Sequence, residues 1–287
     1  MKGPFHALTA PQRKRVDEWL PGAVIERDLS WGLVETTVFL ARSADGDRVV
    51  VKAGGLDDHH LAREIRAHLE WLGPWTRARR APVLLHHDAE ANLLVTRYLP
   101  GELVLGTPQA DDPEVYRQAG RLLAMLHAQH TVQDAEWEER EIARSLHWLD
   151  QPHQIASDVA ARLEALLQEF PTPPATLVPT HGDWHPRNWL VHESTVFAID
   201  FGRAGLRPAY TDLTRMAANE FDRDPGLEAA FLAGYGPDPR EAETWFRVKV
   251  REAIGTAVWA YQVGDEDFER LGHRMIADVL AEADRQA

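Results

Sequence analysis

Between His181 and Asn188 the chain reads HGDWHPRN, and beyond a short apolar run it reaches AIDFG, with Asp200 at its centre. Gly182 precedes Asp183 and Pro186 follows it, so a helix through this stretch is disfavoured and Asp183 is expected on a loop. The intervening NWLVHESTVFAID has the pattern of two short strands around a turn at Glu193 and Ser194. Paired as a hairpin, these strands put Asn188 and Asp200 at one open end, beside the loop of Asp183. Oxygen donors with no soft ligand among them suit magnesium, which keeps several waters and is shared between one or two carboxylates and substrate phosphates. His181 and His185 have the spacing of zinc ligands on a helix, but Gly182 and Pro186 argue against that helix.

The flanking sequence supplies elements to hold such a site. TTVFLA and RVVVKA read as strands joined by an Asp45-Gly46 hairpin turn, so Lys52 ends a strand. In DDHHLAREIRAHLEWLGPW, Leu61, Ile65, Leu69 and Leu72 recur at helical spacing, Gly73-Pro74 stops the pattern, and Glu64 sits beside the apolar stripe. APVLLHHD and ANLLVTRYLPGE read as two more strands, and Pro100-Gly101 is the best candidate for a lobe boundary. Long helical patterns run from about Pro113 to Phe170, and again from Asp212 onward with a break at GYGPDP. No internal repeat stands out.

Composition narrows the classes. A 287-residue chain with 44% apolar residues can bury a sizeable core. A net charge of -14 gives nucleic acid or an anionic membrane no general electrostatic reason to bind, and suits a cationic small substrate better. There is no cysteine, which excludes disulfides and thiolate zinc sites. The first twenty residues lack a signal-like apolar run and no stretch approaches the ~18 apolar residues that would span a bilayer, so a cytoplasmic location is expected. With only four lysines in the chain, Lys52 is conspicuous, because arginine's broad fork does not replace a compact ammonium everywhere.

His-Gly-Asp, Asn188 at its offset, a hairpin and Asp-Phe-Gly resemble the catalytic and metal loops of protein kinases. The glycine-containing version, followed by Asp212-Leu213 and preceded by LLAMLHAQH, resembles the aminoglycoside phosphotransferase family over about Val24 to Tyr235. The resemblance implies an α+β, bilobal protein-kinase-like fold: a small N-terminal nucleotide-binding lobe (1–99) with an antiparallel sheet and one helix, and a larger helical lobe (100–287) for catalysis and substrate. It implies Asp183 as the group that orients or accepts the hydroxyl proton, Asn188 and Asp200 as magnesium ligands, and Lys52 on the α- and β-phosphates with Glu64 orienting it. His185 stands where a γ-phosphate donor would, Asp212 braces the loop, and backbone groups near Arg97 and Leu99 would meet adenine. ATP or GTP with Mg2+ are the implied cofactors. The implied reaction is phosphorylation of a small-molecule hydroxyl, first an antibiotic, giving resistance, and alternatively a sugar, amino alcohol or homoserine; a silent nucleotide-binding pseudokinase is the non-enzymatic alternative.

Two departures stand beside the resemblance. The glycine-rich phosphate loop of protein kinases is replaced by LSWGLVETT with Gly32 alone, and Arg187 precedes Asn188 where the family commonly has glycine. GDWH also resembles the start of metallophosphoesterases, but their later Gly-Asn-His is missing. His127 and His130 read as packing or surface residues, Trp19, Trp71, Trp148 and Trp245 as core, and Trp184 and Trp189 as either packing or substrate mouth. The acidic segments NEFDRD and VGDEDFE are candidate substrate walls.

Overall fold

The computed structural model describes residues 8–30, 36–55 and 58–286; Gly32 lies outside them. Contacts group the chain into two compact units, Met1–His130 with Val178–Pro237, and Thr131–Leu177 with Asp238–Ala287. Leu99 and Pro100 both fall within the first.

The first unit opens with α1 (Ala10–Trp19), capped by Thr9 and Gln12 in a reciprocal capping box. There follow β1 (Val24–Asp28), β2 (Thr37–Arg42), β3 (Arg48–Ala53), α2 (His59–Glu70), α3 (Gly73–Arg77), β4 (Leu84–Asp88) and β5 (Leu93–Arg97). The strands form one antiparallel sheet in the order β1-β2-β3-β5-β4. As expected, the β2–β3 turn is built at Asp45-Gly46, with Gly46 at φ 90°. Val49, Val51, Phe39, Leu93 and Val95 bury one face against Val16 and Leu20 of α1 and its C-cap. Asp58 caps α2 by accepting from the N–H groups of His60 and Leu61.

The apolar stripe of α2 is shorter than its spacing suggested. Leu61 and Ile65 are buried, but Leu69 is 60% exposed and Leu72 lies past the helix end. The helix stops at Glu70, and Gly73-Pro74 starts α3, where proline's missing N–H has no intrahelical role. Of the four tryptophans assigned to the core only Trp71 is buried; Trp19, Trp148 and Trp245 are partly exposed.

The chain continues through β6 (Glu102–Leu103) and α4 (Pro113–His127) into the second unit, which holds β7 (Val132–Asp134), α5 (Trp137–Leu149) and α6 (Ser157–Glu169). β8 (Ala175–Thr180) then leads back to the first unit, to β9 (Trp189–His192), β10 (Thr195–Ala198), β11 (Gly205–Arg207), α7 (Thr214–Ala218), α8 (Glu220–Arg223) and α9 (Pro225–Tyr235). Two long helices, α10 (Ala242–Val263) and α11 (Glu266–Gln286), complete the second unit. Its core is built from Leu163, Leu167, Val250, Ile254, Val258 and Ile276, and includes a buried Glu138 that accepts from Arg247 and Arg251. Antiparallel sheet in the N-terminal region and mainly helix after it make the α+β fold that was expected, with α1 and α3 added. Among the described residues no helix is long and apolar enough to cross a membrane.

Helices α4 and α9 approach through glycine. A Cβ on Gly120 would lie 2.2 Å from the Phe231 carbonyl oxygen, and one on Gly234 would lie 1.9 Å from that of Arg117. Neither oxygen can retreat, since each belongs to a helix backbone. Gly120→Ala and Gly234→Ala are each expected to cost about 1–3 kcal/mol of stability, read as a lower denaturation midpoint at unchanged slope.

Candidate active site

Strand β3 carries Lys52, and helix α2 brings Glu64 beneath it. The Lys52 ammonium donates to both Glu64 carboxylate oxygens, at 2.8 and 2.9 Å, and stands 3.7 Å from Asp200 Oδ1. Burial alone would push the lysine towards the neutral form; Glu64 and Asp200 outweigh it and hold the pKa above its usual value. The Phe201 backbone N–H also donates to Glu64, so the Asp200 segment and α2 share one carboxylate.

The hairpin expectation is met. β9 and β10 pair from Trp189 with Ala198 to His192 with Thr195, around Glu193 and Ser194 at φ 48° and 60°. At the open end the Ile199 N–H donates to the Asn188 carbonyl at 3.0 Å. The Asn188 amide nitrogen donates to the carbonyl of Asp183 at 2.8 Å and to its Oδ2 at 3.0 Å. Asn188 Oδ1 thus faces away from Asp183. Asp200 has a left-handed backbone, φ 65°, which few non-glycine residues adopt without compensation from their surroundings. Its carboxyl is held low by Lys52, and Asp183 is near enough to oppose that shift.

Asp183 is buried, with Oδ1 3.3 Å from Arg215 Nε and 3.6 Å from His185 Nε2. Burial pushes this carboxyl up, yet His185, Arg215 and Arg203 pull it well below the usual carboxylate range. It is therefore an ionised carboxylate of low basicity. Among the described residues, neither Asp183 Oδ1 nor His185 Nε2 has a hydrogen-bond partner. Asp212 braces the loop from below: its carboxylate accepts from the backbone N–H of His181 at 2.8 Å and of Gly182 at 2.6 Å, and contacts His127 Nε2 at 3.0 Å. His127 is buried, as packing residues are, but also carries a polar task, since its Nδ1 meets the Tyr235 hydroxyl at 2.9 Å. Gly182, at φ 79°, has no room for a side chain, because a Cβ would meet the Arg203 carbonyl at 2.1 Å.

Trp184 and Trp189 are both packing residues. They pack, tilted or edge-on, with Trp75 and His181 into an aromatic column that reaches Phe201, whose ring meets that of His68 at 5.4 Å. On the hinge side, the Arg97 N–H donates to Val83, and its side chain lines a surface cavity of about 220 Å³ with Trp19, Asp47 and Arg48. Leu99 follows with its N–H donated to no described residue.

No three His, Asp or Glu side chains among the described residues cluster as a metal cage. The donor set nonetheless suits magnesium: Asp200, whose side chain is 48% exposed, and Asn188 Oδ1 offer one carboxylate and one amide oxygen, and phosphates and water complete such a shell. Sequence reasoning missed Arg215 altogether. It named the NEFDRD segment without distinguishing Glu220, and it gave no role to His60, whose Nδ1 lies 3.1 Å from the Gly202 carbonyl.

The fold is that of the kinase-like phosphotransferases. The chain belongs to the phosphotransferase enzyme family (APH), whose model matches residues 25–245. Its structure is similar to a thermostable mutant of aminoglycoside phosphotransferase APH(4)-Ia in complex with ADP and hygromycin B, with TM-score 0.65 and 14% identity over 95% of this chain and 98% of that one. It is similar also to macrolide 2'-phosphotransferase MphH from Brachybacterium faecium, with TM-score 0.57 and 20% identity over 92% and 95%. A choline/ethanolamine kinase family protein from Mesorhizobium loti matches with TM-score 0.58 and 22% identity over 89% and 87%. No curated protein matches the sequence.

His68 lies one helical turn beyond Glu64, and both its ring nitrogens are buried with no partner among the described residues. Burial and the Lys52 charge push its pKa down to about 3. The unfolded imidazole takes up a proton below pH ~6.5, and the folded one resists down to about 3, so stability should fall as pH drops through that window. His68→Leu is expected to flatten this decline, measured as unfolding midpoints between about pH 7 and pH 5.

Proposed function

We propose that this protein is a magnesium-dependent O-phosphotransferase that moves the γ-phosphate of ATP or GTP to a hydroxyl of a small molecule. The observation that carries the reading is the meeting of Lys52, Glu64 and Asp200 on one side with Asp183 and Asn188 on the other. Lys52 binds the α- and β-phosphates, held in place by Glu64. Asn188 and Asp200 hold magnesium, which when bound neutralises charge that develops as the phosphoryl group leaves. Backbone groups of Arg97 and Leu99 meet the base. Residues 1–99 serve nucleotide binding in this reading, and 100–287 supply the catalytic loop and acceptor site.

Asp183 orients the acceptor hydroxyl through Oδ1. Its depressed pKa makes it a weak base, which suits a loose transition state in which bond formation to the incoming oxygen is slight and the proton leaves late. His185 Nε2 lies on the same side and can donate to the transferring phosphoryl group. An antibiotic acceptor is supported by two of the structural relatives and by the acidic net charge; a metabolite acceptor is supported by the choline/ethanolamine kinase relative and by the arginine that touches Asp183.

Purified protein with magnesium and ATP or GTP, offered a panel of antibiotics and hydroxylated metabolites, should add one phosphate to at least one of them by mass. No transfer to any would remove the enzymatic reading. Asp183→Asn should lower kcat by ~10²-fold or more, and a variant at the wild-type rate would refute the assignment. Because Asp183 stays ionised well into the acid range, any acid limb of the wild-type kcat profile above pH ~4 should belong to another group.

A further inference from the structure

Two groups beside Asp183 carry unused hydrogen-bonding capacity of opposite kinds. Arg215 sits on α7, 46% exposed, and turns Nε towards Asp183 Oδ1 as an ion pair at 3.3 Å. No described residue accepts from its two terminal amino groups. A guanidinium fork left open in this way matches the two oxygens of a carboxylate. Glu220, at the start of α8, has the complementary property: its Oε2 is buried and no described residue donates to it. A buried carboxylate oxygen without a donor is costly unless a ligand supplies one.

Arg215 contacts Asp183 directly, and Glu220 lies within electrostatic reach of the two cations that flank Asp183. His185, Arg223 and Arg215 all act on the Glu220 carboxylate, and His185 and Arg215 are the two groups nearest Asp183 Oδ1. Arg223 is already paired with Asp111 at 2.6 Å, which leaves Arg215 as the arginine within electrostatic reach of Glu220 whose fork is open. Burial raises the Glu220 pKa, as expected of a carboxylate that these cations do not fully compensate.

Resting on the phosphotransferase reading above, we propose that the acceptor is a small zwitterion, a hydroxy amino acid whose carboxylate engages Arg215, whose ammonium engages Glu220 and whose hydroxyl lies on Asp183. Its hydroxyl oxygen forms a bond to the terminal phosphorus of the nucleotide, and the bond from that phosphorus to the β–γ bridging oxygen breaks. The hydroxyl proton passes to Asp183, and the nucleoside diphosphate leaves with the electron pair. A polyamine acceptor would use Glu220 but bring a second cation towards Arg215; an uncharged sugar would match neither group.

The test offers the full-length protein magnesium with ATP or GTP and four acceptor classes. These are serine, threonine and homoserine; the corresponding amino alcohols without a carboxylate; the corresponding hydroxy acids without an amine; and polyamine antibiotics. The hydroxy amino acids should show the highest kcat/KM. Arg215→Ala should raise KM for them by about tenfold or more relative to KM for the amino alcohols, with any change in kcat shared by all acceptors because Arg215 also contacts Asp183, and Glu220→Gln should do the reverse for KM, weakening amino alcohols and sparing hydroxy acids. Arg215→Lys, which keeps the charge but loses the fork, should fall between wild type and alanine, and unfolding midpoints of all variants show whether a loss is one of folding. Preference for a polyamine or uncharged acceptor, or an unchanged KM in Arg215→Ala and Glu220→Gln, overturns this proposal and leaves the phosphotransferase reading standing. Binding of magnesium-nucleotide without transfer to any hydroxy amino acid overturns it too. Absence of both nucleotide binding and transfer overturns both.

Discussion

Each oxygen donor of the site is followed directly by a buried ring: Asp183 by Trp184, Asn188 by Trp189, and Asp200 by Phe201. These rings pack on one another and on Trp75 and His181, with centroid separations of 5.1 to 5.9 Å. An aromatic side chain buried to this degree is worth ~2–3 kcal/mol or more by area alone, and neighbouring rings add to it. A polar residue one peptide bond from such an anchor has little freedom to move. The column therefore fixes three separate backbone points against one another, and the hydrogen bonds among them complete the placement.

The column alone would leave the loop backbone unsatisfied, and Asp212 closes that gap. The His181 and Gly182 amides point inward, where water does not reach, and each needs an acceptor. A buried carboxylate is costly when isolated, but this one accepts two backbone N–H groups and meets the His127 imidazole, which together keep its pKa low against the effect of burial. The left-handed turn at Gly182 follows from this arrangement, because bringing consecutive amides onto one carboxylate needs a backbone that only glycine adopts freely beside the Arg203 carbonyl. Through His127 and Tyr235 the same carboxylate is tied to α4 and α9, whose glycine contacts set their close approach.

Much of this was legible in the sequence, for reasons specific to each element. Turn chemistry marked the β2–β3 and β9–β10 hairpins, and the hairpin pattern alone placed Asn188 with Asp200. Pattern put Lys52 at a strand end and Glu64 beside a helix stripe, and only the family resemblance singled the two out as a pair. The burial of Trp184 and Trp189 was not decidable, since an aromatic beside a polar motif packs or lines a pocket depending on neighbours supplied by distant segments such as Trp75 and Tyr116. Leu69 failed as a core residue because periodicity fixes a helix face but not how far the opposing surface extends. Arg215 left no signal: an arginine after Asp-Leu is an ordinary helix surface residue until the fold brings Asp183 to its Nε.

Around that last residue the local charge departs from the net charge of the chain. A net charge of -14 describes a field spread over the whole surface, and beyond about 8–10 Å salt screens most of it. Within the mouth the balance is different, with Arg215 and Arg203 acting on Asp183, Arg223 paired with Asp111, and Glu220 set among them. A ligand that docks there exchanges water for these few partners at short range, where unmatched groups weigh more than distant like charge. The bulk acidity favours encounter with cations, while under the proposed acceptor reading the local pattern rewards a ligand that presents both signs. Recognition would then rest on two or three side chains on short, irregular helices, the same segments that leave the weakest trace in sequence pattern.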